Sequence, residues 1–224
     1  MVSLGTWLQN TGAGWLMTSL NPDPLVVSMV QAATIVPIFL LALPAGAVAD
    51  ILDRRLFLIF TQVATLVVAA LLAVLTLTHQ TTAWNLLALT FLLGVGAAMT
   101  QPAWAASIPE LVPRGDLVQA IALNGIGFNI ARAVGPALAG VLVLLGGAGL
   151  AFTCNAVSFV AVIAALVAWR RRDGRGTLPR EHFLSAIRAG MRYVQNTPLM
   201  RAAMLRAFVF FFAGAAPWGL LPLV

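Results

Sequence analysis

The sequence predicts an all-α integral membrane protein, on three observations. Of its 224 residues, 61% are hydrophobic and 9% are charged, a composition outside the range of soluble globular domains. The apolar residues gather into runs close to the roughly 20 residues that a helix needs to cross the hydrocarbon of a bilayer. These runs lack the alternation of membrane β-strands, and a helix satisfies its own backbone in lipid. We therefore expect the lipid bilayer to surround the chain.

Seven apolar runs account for most of the chain, and turn-forming residues separate them at 21–24, 78–82, 113–116 and 146–147. We interpret the first six runs as complete or nearly complete membrane helices, and the seventh as the start of another. The predicted spans are Val2–Leu20, Leu25–Ala49, Leu56–Leu77, Trp84–Ala106, Val118–Leu145, Ala148–Trp169 and Ala202–Val224.

The composition changes after Trp169, where an arginine-rich segment begins. We assign residues 1–169 to a six-helix transmembrane domain, 170–200 to a cytoplasmic linker, and 201–224 to helix 7, the start of a second half. Within the linker, Leu178–Val194 has apolar residues spaced for one helix face, which predicts an amphipathic helix at the membrane surface. The first run is short and polar, so we expect the chain to begin a turn or two inside helix 1.

The positive charge is distributed in a way that predicts the orientation of the spans. All 13 basic residues are arginines, and the net charge is +6. They lie in loops rather than on one basic face, which argues against nucleic acid as a partner. Connections 21–24, 78–83 and 146–149 contain no arginine, whereas connections 50–55 and 107–117 and the segment after 169 do. The arginine-bearing loops are therefore predicted to be cytoplasmic, in a multi-pass protein of the bacterial inner membrane.

The connection after the second run carries a charged motif. Gly46 permits another helix to approach closely, and Asp50, one turn later, places a carboxylate at the membrane edge, where it needs a partner. Arg54 and Arg55 are neighbouring cations. A Gly, three residues, an Asp and then Arg-Arg resemble the signature loop between helices 2 and 3 of the major facilitator superfamily, where it acts in gating. Ile51 and Asp53 depart from its commonest form, and an ordinary charged turn is the alternative.

The fifth run carries a second motif, over residues 131–140. It resembles the helix 5 motif of exporters and antiporters in the same superfamily, represented here by Arg132, Gly135, Pro136 and Gly140. A ridge of small residues at four-residue spacing runs through it: Gly127, Ala131, Gly135 and Ala139. The resemblance implies that this ridge faces the missing C-terminal six-helix half. A packing surface within the chain is the alternative.

A narrower resemblance covers nearly the whole chain, in the segments 5–9, 107–113, 123–132 and 190–194. These are similar to the branch containing the enterobactin exporter and macrolide efflux proteins. The resemblance implies two six-helix halves, each a 3+3 repeat, with alternating access around a central cavity. It also implies export of a small-molecule substrate, such as a drug, macrolide or siderophore-like metabolite, with protons as a coupling ion. Thr90 stands where many proton-coupled members carry arginine, which argues against the usual proton route.

Two groups of residues are candidates for lining the cavity. Arg132 is the one arginine well inside the first six runs, and an intramembrane charge is a functional hypothesis by default. A structural contact to backbone carbonyls or a nearby Asn is the alternative. Asn124 and Phe128 share its four-residue row. In the first run, Thr6, Gln9 and Asn10 form a polar stripe suited either to a hydrated path or to interhelical hydrogen bonds.

The sequence shows no pattern typical of an enzyme. His79 and His182 are predicted on opposite sides of the membrane, no Cys/His cluster has metal-ligand spacing, and no Gly-rich loop follows a strand. We therefore expect no catalytic residue, metal or cofactor. The leading hypothesis is the N-terminal half of a secondary transporter. The alternative is a non-transporting membrane module, or the relic of a broken transporter gene.

Overall fold

A computed structural model of the chain describes residues 2–169, 192, 196–203, 205–207 and 209–210, with backbone alone at residues 2, 3, 43, 50, 51 and 114. The chain divides into two compact units, Met1–Gly176 and Thr177–Val224. In the second unit the described residues are helical, apart from residue 197. The predicted amphipathic helix Leu178–Val194 lies outside the described residues, except for residue 192.

The first unit is a bundle of five α-helices, and no strand occurs among its described residues. This confirms the all-α prediction for that part of the chain. The helices are α1 (Val2–Leu20), α2 (Pro24–Ile51), α3 (Arg54–Leu77), α4 (Ala83–Leu111) and α5 (Leu117–Ala168), with a short 3-10 helix, Arg114–Asp116, before α5.

The longest helix, α5, has 52 residues but is broken near its middle. The backbone is not helical at Gly146 (φ −151°, ψ 21°) or at Gly147 (φ 71°, ψ −178°). The positive φ of Gly147 is one that glycine adopts at little cost. We call residues 117–145 the first arm of α5 and residues 148–168 its second arm. The break lies where the sequence predicted a turn.

Side chains of the connecting segments fix the starts of three helices. The Asp23 carboxylate accepts a hydrogen bond from the backbone N–H of Leu25, at 2.9 Å, at the start of α2. Asp53 accepts from the N–H of Leu56, at 3.1 Å, in the same way for α3. Thr82 caps α4. Because an N-cap satisfies a backbone donor that has no partner within the helix, Asp53 has a structural role in the charged motif.

Within the part of the chain that the structure describes, four stretches are long and apolar enough to cross a membrane: Pro24–Ala42, Arg54–Leu77, Ala83–Leu111 and Leu117–Ala168. The first predicted span forms a helix with the expected bounds, but it is not among these four. Its polar residues lower its hydropathy; they are Ser3, Thr6, Gln9, Asn10, Thr11, Thr18 and Ser19.

The bundle is held by contacts between helices distant in sequence. α1 packs along α5, α2 packs against α4, and α3 contacts both α4 and α5. Met17, Leu72 and Phe152 are completely buried in the larger apolar cluster. Large apolar side chains such as Phe39, Phe60 and Leu144 instead lie on the outer surface, as expected where lipid is the solvent.

Candidate functional site

The first arginine of the charged motif joins the start of α3 to the end of α4. Arg54 Nη1 lies 2.7 Å from Glu110 Oε1, and it donates to the carbonyl oxygen of Ala106 at 3.1 Å. Each side chain of the ion pair is about one quarter exposed, at 27% and 26%. Partial burial reduces screening of the pair by water. The observed partner of Glu110 is therefore Arg54, on the neighbouring helix.

The second arginine joins the start of α3 to the end of α5. Arg55 Nε donates to the carbonyl oxygen of Leu166 at 2.9 Å, and Arg55 Nη2 donates to that of Val167 at 2.6 Å. The last carbonyls of a helix have no partner within it and carry its partial negative charge. Arg55 therefore satisfies two of these acceptors and complements the dipole of α5. Adjacent arginines thus hold the ends of two different helices against α3; we call Arg54 and Arg55 the arginine clip.

The remaining two motif residues are at the end of α2. Asp50 belongs to its last turn, but the structure describes only its backbone. At Gly46, a Cβ atom would have no neighbour within 4 Å. The predicted close approach of another helix at Gly46 is therefore not made by any described residue.

The small-residue ridge of α5 meets α1 at Gly135, where a Cβ atom would lie 2.5 Å from Trp7 Cβ. Ala131 and Ala139, about one turn on either side of Gly135, are buried. The expectation that the ridge faces a missing half is therefore wrong at Gly135, because α1 already occupies that surface. A Cβ atom at Gly127 would be in open space.

The row of cavity candidates lies on an exposed face of the first arm of α5. Asn124, Phe128 and Arg132 are all exposed in the described chain. Asn124 Oδ1 accepts a hydrogen bond from Trp104 Nε1 of α4, at 3.2 Å. Sequence reasoning missed Trp104, although a tryptophan about two turns inside a span end is a usable signal. The row therefore includes a polar group, an aromatic ring and a cation, with a second ring, that of Trp104, beside Asn124.

The other two residues of the helix 5 motif lie further along the first arm. Pro136 is exposed, and Gly140 borders a groove of about 210 Å³. Its other lining residues are Thr11, Trp15, Val143 and Leu144. Small-molecule pockets usually have volumes of about 300–1,000 Å³, so this groove has room for part of a substrate at most.

The polar stripe of α1 makes an interhelical contact. Gln9 is 4% exposed, and its Oε1 accepts a hydrogen bond from Asn155 Nδ2 in the second arm of α5, at 3.1 Å. Thr6 and Asn10 are half-buried. The burial of Gln9 favours the interhelical alternative for that residue. Asn155 was not singled out in the sequence because its partner is 146 residues away.

Among the described residues, no group of three or more His, Cys, Asp or Glu side chains could hold a metal ion. What the geometry offers is a fixed arginine-bearing end, a packed α1–α5 seam and an exposed polar and aromatic row. A family model described as transmembrane secretion effector, within the major facilitator superfamily, matches residues 1–224.

The chain belongs to the major facilitator superfamily. Its family is one of membrane transporters, not of enzymes, as the resemblance implied. Proteins similar to this chain have names that describe transporters. The staphyloferrin A transporter of Staphylococcus aureus is 30% identical over 168 residues, 74% of this chain and 42% of that protein.

Two further superfamily relatives are similar over more of the chain. The uncharacterized MFS-type transporter YfiS of Bacillus subtilis is 26% identical over 216 residues, 94% of this chain and 50% of the relative. The multidrug efflux pump Tap of Mycolicibacterium fortuitum is 29% identical over 197 residues, 84% of this chain and 48% of the relative. The chain spans about half the length of these relatives. No solved structure gave a significant match.

Proposed function

We propose that this chain supplies the first six-helix half of a secondary active transporter that exports small molecules by alternating access. The observation that carries the proposal is the family match over residues 1–224, together with relatives about twice as long. Transport then requires the chain and a second six-helix half, and the domains are those expected from the sequence: 1–169, 170–200 and the start of helix 7 from 201.

The broken helix α5 supports a count of six crossings. At 1.5 Å per residue, its first arm is roughly 44 Å long and its second arm roughly 32 Å, and each exceeds the ~30 Å of bilayer hydrocarbon. With the break at Gly146 and Gly147, both arms can cross separately. α1 to α3 then form one three-helix repeat, and α4 with the two arms forms the other.

The arginine clip is proposed to lie on the cytoplasmic face of the bacterial inner membrane, following the positive-inside rule. It ties α3 to the ends of α4 and α5, so these ends move as one body during alternating access. Asp50 belongs to α2, and the family resemblance implies a gating contact with the second half. Gly46 is the position where that half approaches.

The exposed row of Asn124, Phe128 and Arg132 is proposed to contribute to the central cavity. Relatives named for staphyloferrin A and for multidrug efflux support a substrate among drugs, macrolides and siderophore-like metabolites. Protons are the proposed coupling ion. Between residues 56 and 109, and between 117 and 168, the chain has no carboxylate, so a proton carrier of that type has to come from elsewhere in the transporter.

Export from everted membrane vesicles tests this proposal. The chain is expressed alone, and also with the coding sequence found directly downstream, and uptake of a fluorescent amphiphilic drug or an iron-loaded siderophore is followed. Energised uptake is expected when both halves are present and not with the chain alone.

The rival is a non-transporting module, for which the half-length match is the favouring observation. The absence of any second six-helix half downstream, with no uptake by a complete gene product, would support this rival.

A further inference from the structure

A buried cluster of polar side chains lies in the seam between α3 and α4, away from the arginine clip and the exposed row. Its members are Thr61, Gln62 and Thr65 of α3 and Thr100 of α4, whose exposed fractions lie between 2% and 9%. Polar groups at such depth normally have hydrogen-bond partners. We call these four residues the threonine cluster.

The threonine cluster contains more acceptors than donors. Thr61 donates its hydroxyl hydrogen to Leu58 O at 3.0 Å, Thr65 to Thr61 O at 2.6 Å, and Thr100 to Gly96 O at 2.8 Å. Because a hydroxyl has a single hydrogen and two lone pairs, lone pairs on all three oxygens remain available in the seam. Gln62 Oε1 is buried and has no hydrogen-bond partner. This oxygen therefore has neither a hydrogen-bond donor nor a cation beside it among the described residues.

The spacing of these groups fits a small cation. Thr100 Oγ1 lies 3.4 Å from Thr61 Oγ1 and 3.4 Å from the amide Nε2 of Gln62. Both distances exceed the usual ranges of hydrogen bonds, which are 2.5–3.0 Å for O–H···O and 2.7–3.2 Å for N–H···O. A cation with oxygens at about 2.4 Å, as in calcium sites, holds adjacent octahedral ligands about 3.4 Å apart. Rotation of the Gln62 amide exchanges its nitrogen and oxygen, which places a ligand oxygen at that spacing.

A glycine makes room for one of these oxygens. A Cβ atom at Gly96 would overlap the hydroxyl oxygen of Thr65. The carbonyl oxygen of Gly96 is the acceptor of the Thr100 hydroxyl. Thr65 and Thr100, on different helices, therefore both contact Gly96, and a larger residue at 96 would displace the hydroxyl of Thr65.

We propose that the threonine cluster binds a sodium ion, through the hydroxyl oxygens of Thr61, Thr65 and Thr100 and the amide oxygen of Gln62. Na⁺ has nearly the ionic radius of Ca²⁺, so the same spacing suits it, and K⁺ is too large for it. Neutral oxygens replace the hydration shell of a monovalent ion in channel filters. A divalent ion is excluded because neither helix has a carboxylate between residues 56 and 109 to offset its dehydration. A water molecule, which would donate two hydrogen bonds here, is the competing occupant.

Thermal unfolding of the purified 224-residue chain in detergent tests the site, in NaCl, KCl and choline chloride at equal ionic strength. A ligand that binds only the folded state stabilises it by RT ln(1 + [L]/Kd). NaCl is expected to raise Tm by roughly 2–4 °C, with a rise that follows the logarithm of the sodium concentration above Kd, while KCl and choline chloride do not raise it. Equal Tm values in the three salts would overturn the proposal and leave a water molecule as the occupant.

Substitutions test whether the sodium-dependent shift in Tm arises at the threonine cluster. Thr100→Val and Gln62→Leu remove a ligand oxygen at nearly constant volume, and each is expected to abolish the sodium-dependent shift, whereas Thr100→Ser keeps its oxygen and retains the shift. Thr90→Val is the matched control, because Thr90 is a buried hydroxyl of the same helix outside the cluster. A shift that survives in Thr100→Val, or that disappears in Thr90→Val, would overturn this placement. If Thr100→Val does not fold, Gln62→Leu and Thr100→Ser decide the question.

Discussion

Gly127 and Gly135 lie on the same face of the first arm of α5, two turns apart, yet their surroundings differ. A Cβ atom at Gly135 would overlap Trp7 of α1, whereas one at Gly127 would touch nothing. Both glycines belong to the same four-residue spacing of small residues. This spacing therefore identifies one face of the helix, but it does not identify which helix, if any, packs against that face. One part of α5 is therefore a packed seam, and another part, with the row Asn124, Phe128 and Arg132, is an exposed surface available for function.

The largest effect is expected from Gly135→Leu. The leucine has no space beside Trp7, so α1 has to move away from α5, at a cost of about 3 kcal/mol in the free energy of unfolding. Thermal unfolding of the purified chain in detergent measures this cost. Gly127→Leu is the matched control and is expected to change stability by less than about 0.5 kcal/mol beyond propensity effects. Equal effects of the two substitutions would remove the distinction between the seam and the surface.

The buried pair Gln9–Asn155 continues the packed seam between α1 and the second arm of α5. Replacing Asn155 by Leu leaves the Gln9 amide buried without its partner, which costs about 1–3 kcal/mol. The double variant Gln9→Leu/Asn155→Leu is expected to recover part of this loss because neither polar side chain of the pair is then buried. The same unfolding assay gives both values, and a double variant whose loss equals the sum of the single losses would contradict the coupling.

At its C-terminal end, the second arm of α5 is fixed by the arginine clip. Arg55→Gln removes the charge that complements the carbonyls of Leu166 and Val167, and we expect a loss of about 1–2 kcal/mol. Arg54→Gln breaks a partly exposed ion pair and is expected to cost about 0.5–1 kcal/mol. Hydrogen exchange at the end of α5 should rise in the Arg55 variant more than in the Arg54 variant. The reverse order would contradict the assignment of Arg55 as the residue that holds the end of α5.

The sequence predicted the helices well because their determinants are local. Apolar runs, the caps Asp23 and Asp53, and the glycine pair at 146–147 each act within a few residues. The sequence predicted contacts between helices less well, because these join residues that are distant along the chain. The hydrogen bond between Trp104 and Asn124 joins residues 20 positions apart in the sequence, and that between Gln9 and Asn155 joins residues 146 positions apart. The resemblance to the family motif assigned the α5 ridge to a second half, whereas α1 of the same chain covers the ridge at Gly135.

The smallest effect on stability is expected on the exposed row, where the consequence should instead be functional. Phe128 is 46% exposed and lies between Asn124 and Arg132, so Phe128→Ala removes few contacts within the chain and should cost less than about 0.5 kcal/mol. If the row lines a substrate cavity, the same change raises the apparent KM for export by the complete transporter, because a bound substrate loses an aromatic contact. Ile126→Ala is the matched control: Ile126 is 54% exposed on the same helix, about 200° around its axis from Phe128. Export assays on both variants, with Tm measured in parallel, separate the two roles. Equal KM values for the two variants would show that the exposed face of α5 contacts lipid or protein instead of substrate.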